Sequence, residues 1–184
     1  IVSIYLAHHF ISQSSDVTLG IHFSIDNKNT ENMMVLNTDI APLNLSISQS
    51  DAVKDMVDEC SALLEELQMC GASFVVQPKA VQIDVETMIH IEKVQEQFEL
   101  NHICHHIHRL YNEASSFADL EFYPHVQDGF DIVYNDNVYD DLTVHTLVKL
   151  INGIYMQITQ NPSLLIKDIK LSDRSDLAKY NDIN

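Results

Sequence analysis

Apolar residues recur along this chain with two different periods, and segments of the two kinds are interspersed from one end to the other. Residues 17–25 alternate apolar and polar side chains, a pattern typical of a β-strand. Residues 51–69 and 142–160 repeat apolar residues every three or four positions, which predicts two amphipathic helices. Strands and helices mixed in this order predict an α/β fold, in which a mixed β-sheet is flanked by helices.

Polar residues mark the ends of the two long helices. Ser50 and Asp51 precede the first helix, and Asp140 opens the second, where a side-chain oxygen can cap the free backbone N–H groups. Asn161–Pro162 follows the second helix and is expected to end it, because proline disfavours helical conformation in the residue before it.

The remaining segments are shorter and fill in the same architecture. Residues 1–11 have helical spacing, and residues 96–100 and 103–112 lean helical, although residues 87–100 as a whole fit either period. Strands or extended segments are predicted at residues 33–36, 43–47, 74–76, 81–85, 119–123, 129–135 and 164–171. The turn at residues 127–129 predicts antiparallel pairing of its two flanking strands. Residues 1–171 are therefore expected to form one domain, and the polar residues 172–184 a linker or tail.

The charge balance argues against two classes of partner. The chain has 10 basic and 27 acidic residues, a formal net charge of −17 at pH 7. Nucleic-acid binding needs lysine and arginine to neutralise phosphates, and an anionic membrane surface would repel so acidic a chain. No apolar run approaches the roughly 18–20 residues that span a bilayer. The sequence therefore predicts no nucleic-acid partner and no membrane partner.

The cysteines indicate a reducing environment. The chain has three cysteines, so at least one is left unpaired in any disulfide scheme, and none forms a Cys-x-x-Cys pair: Cys60, Cys70 and Cys104. We therefore expect three thiols packed as small apolar groups in a cytoplasmic protein. The chain also starts without methionine and is apolar from its first residues, which predicts that it is a piece of a longer polypeptide.

Two groups among the ten histidines are candidates for a chemical site. On a helix, His102, His105 and His106 would share one face at i, i+3 and i+4, a geometry that can bind a metal. No cysteine or carboxylate completes a recognised zinc spacing, so a partly exposed histidine-rich helix is the favoured interpretation. No metal ligand is assigned.

The pair His8–His9 invites a general-base interpretation, since imidazole titrates near neutral pH. Acyl-condensing enzymes follow two histidines with three residues and then Asp-Gly, whereas Gln13 and Ser14 occupy those two positions here. A helix end with polar caps is therefore favoured. The sequence also contains no phosphate-binding loop and no Gly-x-Ser-x-Gly motif, and no catalytic residue is assigned.

The order of segments is more specific than any single motif. Residues 4–9 followed by residues 16–21 resemble the helix and strand that open the second half of condensation domains of nonribosomal peptide synthetases. Four later stretches resemble that half in the same order: residues 33–38 with 42–45, residues 129–139, the helix of residues 147–162 ending in Asn-Pro, and residues 166–171. The resemblance covers most of the chain and is patchy between residues 74 and 112.

This resemblance implies the C-terminal lobe of the two-lobed chloramphenicol-acetyltransferase-like fold. In that family an acceptor amine attacks a thioester held on a phosphopantetheine arm, inside a tunnel between the lobes, and the catalytic histidine lies in the N-terminal lobe. The chain would then form a tunnel wall and a carrier-docking surface, be inactive alone, and bind no cofactor directly. Its implied partners are that N-terminal lobe and peptidyl or acyl carrier proteins. The implied tunnel residues are Gly20, His22, Met33 and Asn37.

Some positions depart from the family pattern. Residues 24–26 replace an expected Gly-Arg, and Asn44 stands where an arginine is expected. A degenerate, non-catalytic lobe that acts as a protein-interaction module is therefore one alternative, and a histidine-rich metal-binding protein is another. Basic residues toward the C-terminus are a candidate docking surface for an acidic carrier: Lys149, Lys167, Lys170 and Arg174.

Overall fold

The computed structural model describes residues 1–24, 38–70, 85–91, 97–100, 103–106, 118–125 and 129–171 of the chain. Within these ranges the helices are α1 (Val2–Ser12), α2 (Val53–Cys70) and α3 (Asp141–Gln160), and a short 3₁₀ helix spans Ile166–Asp168. The strands are β1 (Leu19–Ser24), β2 (Thr38–Leu43), β3 (Thr87–Ile91), β4 (Gln97–Leu100), β5 (Ile103–His106), β6 (Leu120–Pro124) and β7 (Phe130–Tyr134).

Five strands form one mixed sheet in the order β2-β1-β3-β6-β7, and β4 pairs with β5 in a separate two-stranded sheet. The central strands β1, β3 and β6 are parallel, and each outer strand is antiparallel to its neighbour. The register places Ile21 beside Ile89, and Ile89 beside Phe122. The predicted α/β fold with a mixed sheet and flanking helices is confirmed, and so is the antiparallel pairing of β6 with β7.

One face of the sheet contributes to the apolar core. Leu19, Ile21 and Phe23 occupy alternate positions of β1 and are at most 3% exposed. They belong to one buried cluster with side chains of all three helices. Helix α1 is buried along most of its length and contacts both α2 and α3. Because burying a leucine, isoleucine or phenylalanine side chain stabilises a fold by about 1.5–3 kcal/mol, this face supplies much of the stability of the sheet.

The long helix α3 begins and ends as the sequence predicts. The side chain of Asp140 accepts a hydrogen bond from the Thr143 backbone N–H at 2.6 Å, and the hydrogen bonds with Thr143 lower the pKa of Asp140. The helix ends at Gln160, and Asn161 and Pro162 follow it. The Asp140 carboxylate, at the N-terminal end of α3, also interacts favourably with the helix dipole.

The segment after α3 differs from the extended conformation predicted for residues 164–171. Leu165 pairs with Ala52 in an isolated β-bridge, and the chain then turns into the 3₁₀ helix. The backbone N–H of Ile166 donates to the Asp51 carbonyl at 3.0 Å, and the Ile166 side chain is fully buried. Packing of this side chain under α2 and α3 favours a turn over a continued strand. The same bridge lies directly before α2, which begins at Val53.

Two segments that lean helical in the sequence are strands in the structure. Residues 97–100 and 103–106 pair in the hairpin β4–β5, with Gln97 opposite His106 and Leu100 opposite Ile103, and residue 96 lies outside the described residues. The helical prediction is wrong at these residues because cross-strand pairing overrides a weak local helix preference. Residues 107–112 lie outside the described residues.

The strand predicted at residues 43–47 lies earlier, at Thr38–Leu43. Pro42 is inside this edge strand and opposite Gly20, a position that tolerates a residue without a backbone N–H. The strands predicted at residues 33–36, at 74–76 and over most of 81–85, and the tail at 172–184, lie outside the described residues.

The hydroxyl of Tyr5 joins three segments that are distant in the sequence. It donates to the Val17 carbonyl at 2.6 Å, and it accepts from the Leu45 backbone N–H at 2.9 Å. Tyr5 is 1% exposed, and burial raises the pKa of its hydroxyl, which keeps the proton needed for donation. This one side chain therefore ties α1 to the chain before β1 and after β2.

Replacing Tyr5 with phenylalanine is expected to lower the free energy of unfolding by about 1–3 kcal/mol, because a buried carbonyl and a buried N–H lose their partner. Urea denaturation followed by circular dichroism measures the change. The control is Tyr155→Phe on α3, where the side chain is 50% exposed and the expected change stays within about 0.5 kcal/mol. Equal midpoints for both variants would contradict the role given to the Tyr5 hydroxyl.

Candidate functional site

The predicted tunnel residues Gly20 and His22 lie on β1, at positions that alternate with the core residues Leu19 and Ile21. Because successive side chains of a strand point to opposite faces, Gly20 and His22 belong to the sheet face opposite the three helices. Met33 and Asn37, the other two predicted tunnel residues, lie outside the described residues.

Gly20 occupies a position with no room for a side chain. A Cβ placed there would lie 2.6 Å from Met88 Sδ and 2.7 Å from Val85 Cγ2. Gly20 is paired with Met88 in the β1–β3 register, so the methionine side chain fills the space that a larger residue on β1 would take. The glycine therefore permits close packing between the two parallel strands.

Alanine at position 20 is expected to lower the free energy of unfolding by about 1–3 kcal/mol through overpacking. Met88→Ala removes the sulfur and terminal carbon atoms that the new Cβ would meet at 2.6 and 2.9 Å. Gly20→Ala should therefore lower the free energy of unfolding by less in the Met88→Ala variant than in the wild type. Thermal melts of the wild type, both single variants and the double variant measure this difference. Strictly additive costs would show that the contact with Met88 is unimportant.

His22 pairs with a second histidine on the neighbouring strand. His90 lies opposite it in the parallel register, and the two Nδ1 atoms are 3.0 Å apart. The rings meet edge to face, with centroids 4.8 Å apart. His22 is 8% exposed and His90 4% exposed, so both imidazoles lie within the folded structure.

Glu121 on β6 completes this cluster. Its Oε2 atom accepts from His90 Nε2 at 2.8 Å and from the Tyr123 hydroxyl at 2.5 Å, and its Oε1 accepts from the Ala118 backbone N–H at 3.2 Å. The Tyr123 ring stacks on the His90 ring with centroids 4.0 Å apart. A carboxylate that is 1% exposed would be costly without partners, and these three donors compensate its lost hydration.

The cluster His22–His90–Glu121–Tyr123 is therefore a hydrogen-bonded row across the three parallel strands. Tyr123 lies opposite Asp131 of β7, whose carboxylate is 3.0 Å from His125 Nε2. That outer pair is 42% and 48% exposed, so water screens it. Among the described residues, every buried side-chain nitrogen or oxygen has a hydrogen-bond partner.

The sequence analysis predicts His22 as a tunnel residue but does not predict His90 and Glu121, the other ionisable residues of the cluster. They come from different strands, and the cluster forms only when β1, β3 and β6 pair in register. The available signal was an ionisable residue flanked by apolar residues within a strand: His90 within residues 87–91, and Glu121 between Leu120 and Phe122. Buried ionisable residues of this kind mark candidate functional sites.

The pair His8–His9 lies at the end of α1, as the helix-end interpretation expects. His9 Nδ1 donates to the Ser14 carbonyl at 2.5 Å, and Gln49 Nε2 donates to His9 Nε2 at 3.3 Å. His8 Nε2 lies 3.4 Å from the Thr87 hydroxyl, and burial lowers the pKa of His8 to about 4. His8 is therefore neutral in the folded protein at neutral pH.

Protonation of His8 is expected to destabilise the fold in acid. Because the folded pKa is below the unfolded value, the stability contributed by neutral His8 is full above about pH 6.5 and is lost as the pH falls toward 4. The free energy of unfolding should therefore fall between pH 7.5 and 5 by about 2 kcal/mol more in the wild type than in His8→Gln. Urea titrations at the two pH values test this, and parallel pH profiles would contradict it.

The histidine-rich helix considered as a possible metal site is not formed at the residues that the structure describes. His105 and His106 are in strand β5, so the helical i, i+3, i+4 geometry does not apply to them, and His102 lies outside the described residues. In the part of the chain that the structure describes, no group of three histidine, cysteine or carboxylate side chains is arranged to hold a metal ion. None of the helices in these same ranges combines the length and apolarity needed to cross a bilayer.

Comparison with known proteins gives a clear result for structure and none for sequence. No protein-family model and no curated protein matches the sequence. Solved structures of condensation domains match the fold. The first condensation domain of the CDA synthetase superposes with a TM-score of 0.67 at 11% identity, covering 94% of this chain and 41% of that chain.

Two further structures agree. An arginine-to-alanine mutant of the starter condensation domain of rhizomide synthetase, in complex with C8-CoA, has a TM-score of 0.73 at 12% identity and covers 92% of this chain and 41% of that chain. A four-domain nonribosomal peptide synthetase bound to AMP and glycine has a TM-score of 0.74 at 9% identity, with 94% of this chain and 15% of that chain covered. The chain therefore has the fold of part of a condensation domain, and it spans about two fifths of the length of the isolated domains that it matches.

Proposed function

We propose that this chain is the C-terminal lobe of a condensation domain, and that it acts in amide-bond formation between thioesters carried on phosphopantetheine arms. The observation that carries this proposal is the superposition of 92% of the chain on 41% of a starter condensation domain, with a TM-score of 0.73. One lobe of a two-lobed domain accounts for both coverages. The order of the helix, strand and long-helix segments in the sequence assigns the chain to the second lobe.

In this function the chain supplies a wall rather than the catalytic histidine. The acceptor amine and the thioester must meet in a space that excludes bulk water and aligns the reacting atoms. Gly20 and His22 belong to the face of β1 opposite the helices, and this face is the proposed tunnel side of the lobe. The proton-accepting histidine of the reaction belongs to the N-terminal lobe, so the chain alone is expected to be inactive.

A junction between α2 and α3 that carries three exposed lysines is the proposed carrier-docking surface. Exposed Lys54, Lys167 and Lys170 lie where the start of α2 meets the end of α3. Their backbone N–H groups donate to Pro162 O at 2.9 Å, Gln49 O at 3.2 Å and Gln157 Oε1 at 2.8 Å, respectively. Asp51, Asp55 and Asp168 lie in the same segments, so the three lysines are proposed as individual partners for carboxylates of an acidic carrier and not as a continuous positive patch. Lys149 lies about 16 Å along the helix axis from the end of α3 at Gln160. Arg174 is outside the described residues.

The catalytic proposal is tested with two carrier proteins loaded with different aminoacyl phosphopantetheine thioesters. The chain alone, and the chain joined in one polypeptide to the N-terminal lobe of a condensation domain, are each added, and intact-protein mass spectrometry detects the dipeptidyl carrier. Product is expected only with the joined protein. Product from the chain alone would overturn the proposal, as would a folded joined protein that makes none.

The same assay addresses the alternative of a degenerate interaction module. That alternative predicts carrier binding without product, even in the joined protein. Docking is measured by carrier titration with the chain in low salt, comparing the triple variant Lys54→Glu, Lys167→Glu, Lys170→Glu with Lys149→Glu. The triple variant is expected to weaken binding at least tenfold and the control less than twofold. Equal weakening would place the docking surface elsewhere.

A further inference from the structure

The segment that follows α3, residues 161–171, returns to the helix that it leaves. Its first half is held by backbone hydrogen bonds to the start of α2, where the Val53 N–H donates to the Leu164 carbonyl at 2.9 Å. Its second half is held in a different way. The backbone of Lys170 is bound by a side chain of α3, that of Gln157, which is 13 residues away in the sequence.

The side-chain amide of Gln157 makes three hydrogen bonds at once. Its Oε1 atom accepts from the Lys170 backbone N–H at 2.8 Å. Its Nε2 atom donates to the Lys170 carbonyl at 2.8 Å and to the Gly153 carbonyl, one helical turn earlier, at 3.0 Å. Both N–H groups of the amide are therefore used, and a single orientation of the amide satisfies all three bonds, because a carbonyl oxygen only accepts.

These bonds determine the direction of the Lys170 side chain. The Lys170 N–H belongs to the planar peptide unit before its Cα atom, and the Lys170 carbonyl belongs to the unit after it. Because Gln157 binds both groups, it fixes the two planes and with them the Cα–Cβ bond between them. The neighbouring Ile169 is 7% exposed and anchors the same stretch in the core, whereas the Lys170 side chain is exposed.

We propose that Gln157 is a positioning residue for carrier docking, which holds Lys170 in the direction that meets a carboxylate of the carrier. The inference rests on the proposed function, because it needs the junction between α2 and α3 to be the docking surface. A lysine whose backbone is already ordered loses less conformational freedom when the carrier binds. Lys54 differs from Lys170 in this respect, since it belongs to α2 and is oriented by its own helix.

Hydrogen exchange of the chain alone, followed by nuclear magnetic resonance, tests whether Gln157 holds Lys170. Gln157→Leu removes both bonds and keeps a good helix former, so the Lys170 amide should exchange faster by about fivefold or more. The amide of Ile151, in the buried middle of α3, should keep its rate. Gln160→Leu, at the exposed last residue of α3, is the matched control and should change neither rate.

Gln157→Ala should give the same result as Gln157→Leu, so the outcome does not depend on how leucine packs. An unchanged exchange rate of the Lys170 amide in either variant, with the rate of Ile151 preserved, would overturn the inference.

A double-mutant cycle tests the role in docking, with an isolated peptidyl carrier protein in its phosphopantetheine-loaded form titrated in low salt. Gln157→Leu should weaken carrier binding by about threefold, both alone and together with Lys54→Ala. Together with Lys170→Ala it should weaken binding no further, because no ammonium group is left to position. A general loss of stability would instead weaken binding equally in both lysine variants, and that result would overturn the positioning role.

The same titration separates this inference from the proposed function. Absence of carrier binding by the wild type would overturn the docking surface, and the role of Gln157 in docking with it. Binding that is weakened by the triple lysine variant but unchanged by Gln157→Leu would support the docking surface and overturn the inference alone.

Discussion

The parallel register of β1, β3 and β6 is the constraint on which the rest of the structure depends. It places Ile21, Ile89 and Phe122 side by side on the face toward the helices, where all three are completely buried. Strands at the centre of a parallel array are covered on both faces, so the opposite face of these strands must also be filled. A slip of one residue would exchange the two faces and bury the wrong side chains under the helices.

The same register explains why two imidazoles and a carboxylate can be buried together. Each of these groups loses hydration on folding, and each regains hydrogen bonds from a neighbour that the register brings within 3.0 Å. The network is specific because its parts come from three strands that must pair in register. The buried hydrogen bonds and the apolar core thus depend on the same alignment of strands, and Met88 packed against Gly20 helps to fix that alignment.

Much of the fold could be predicted from periodicity, and the candidate site could be predicted only in part. Helices α1, α2 and α3 have sustained apolar spacing, and strands β1, β6 and β7 have alternation or compact apolar runs, so local pattern was sufficient for them. The hairpin β4–β5 was not predictable because its two four-residue segments become strands only by pairing with each other. His22 was identified through a resemblance between segment orders. His90 and Glu121 were missed because their contact joins residues 31 positions apart, and the sequence does not show which strands pair.

The connection between β3 and β6 determines where the fold can accommodate a change in chain length. Both strands are fixed by pairing, and the chain that joins them runs from residue 92 to 119 with the β4–β5 hairpin inside it. Closing a loop costs only about 0.6 kcal/mol more for each doubling of its length. Insertions and deletions are therefore expected to change the stability little in the connection between β3 and β6 and to lower it much more inside the sheet. The fold therefore accommodates changes of length in this connection while the strands on either side keep their spacing, and a condensation domain of only 11% identity to this chain has a similar fold.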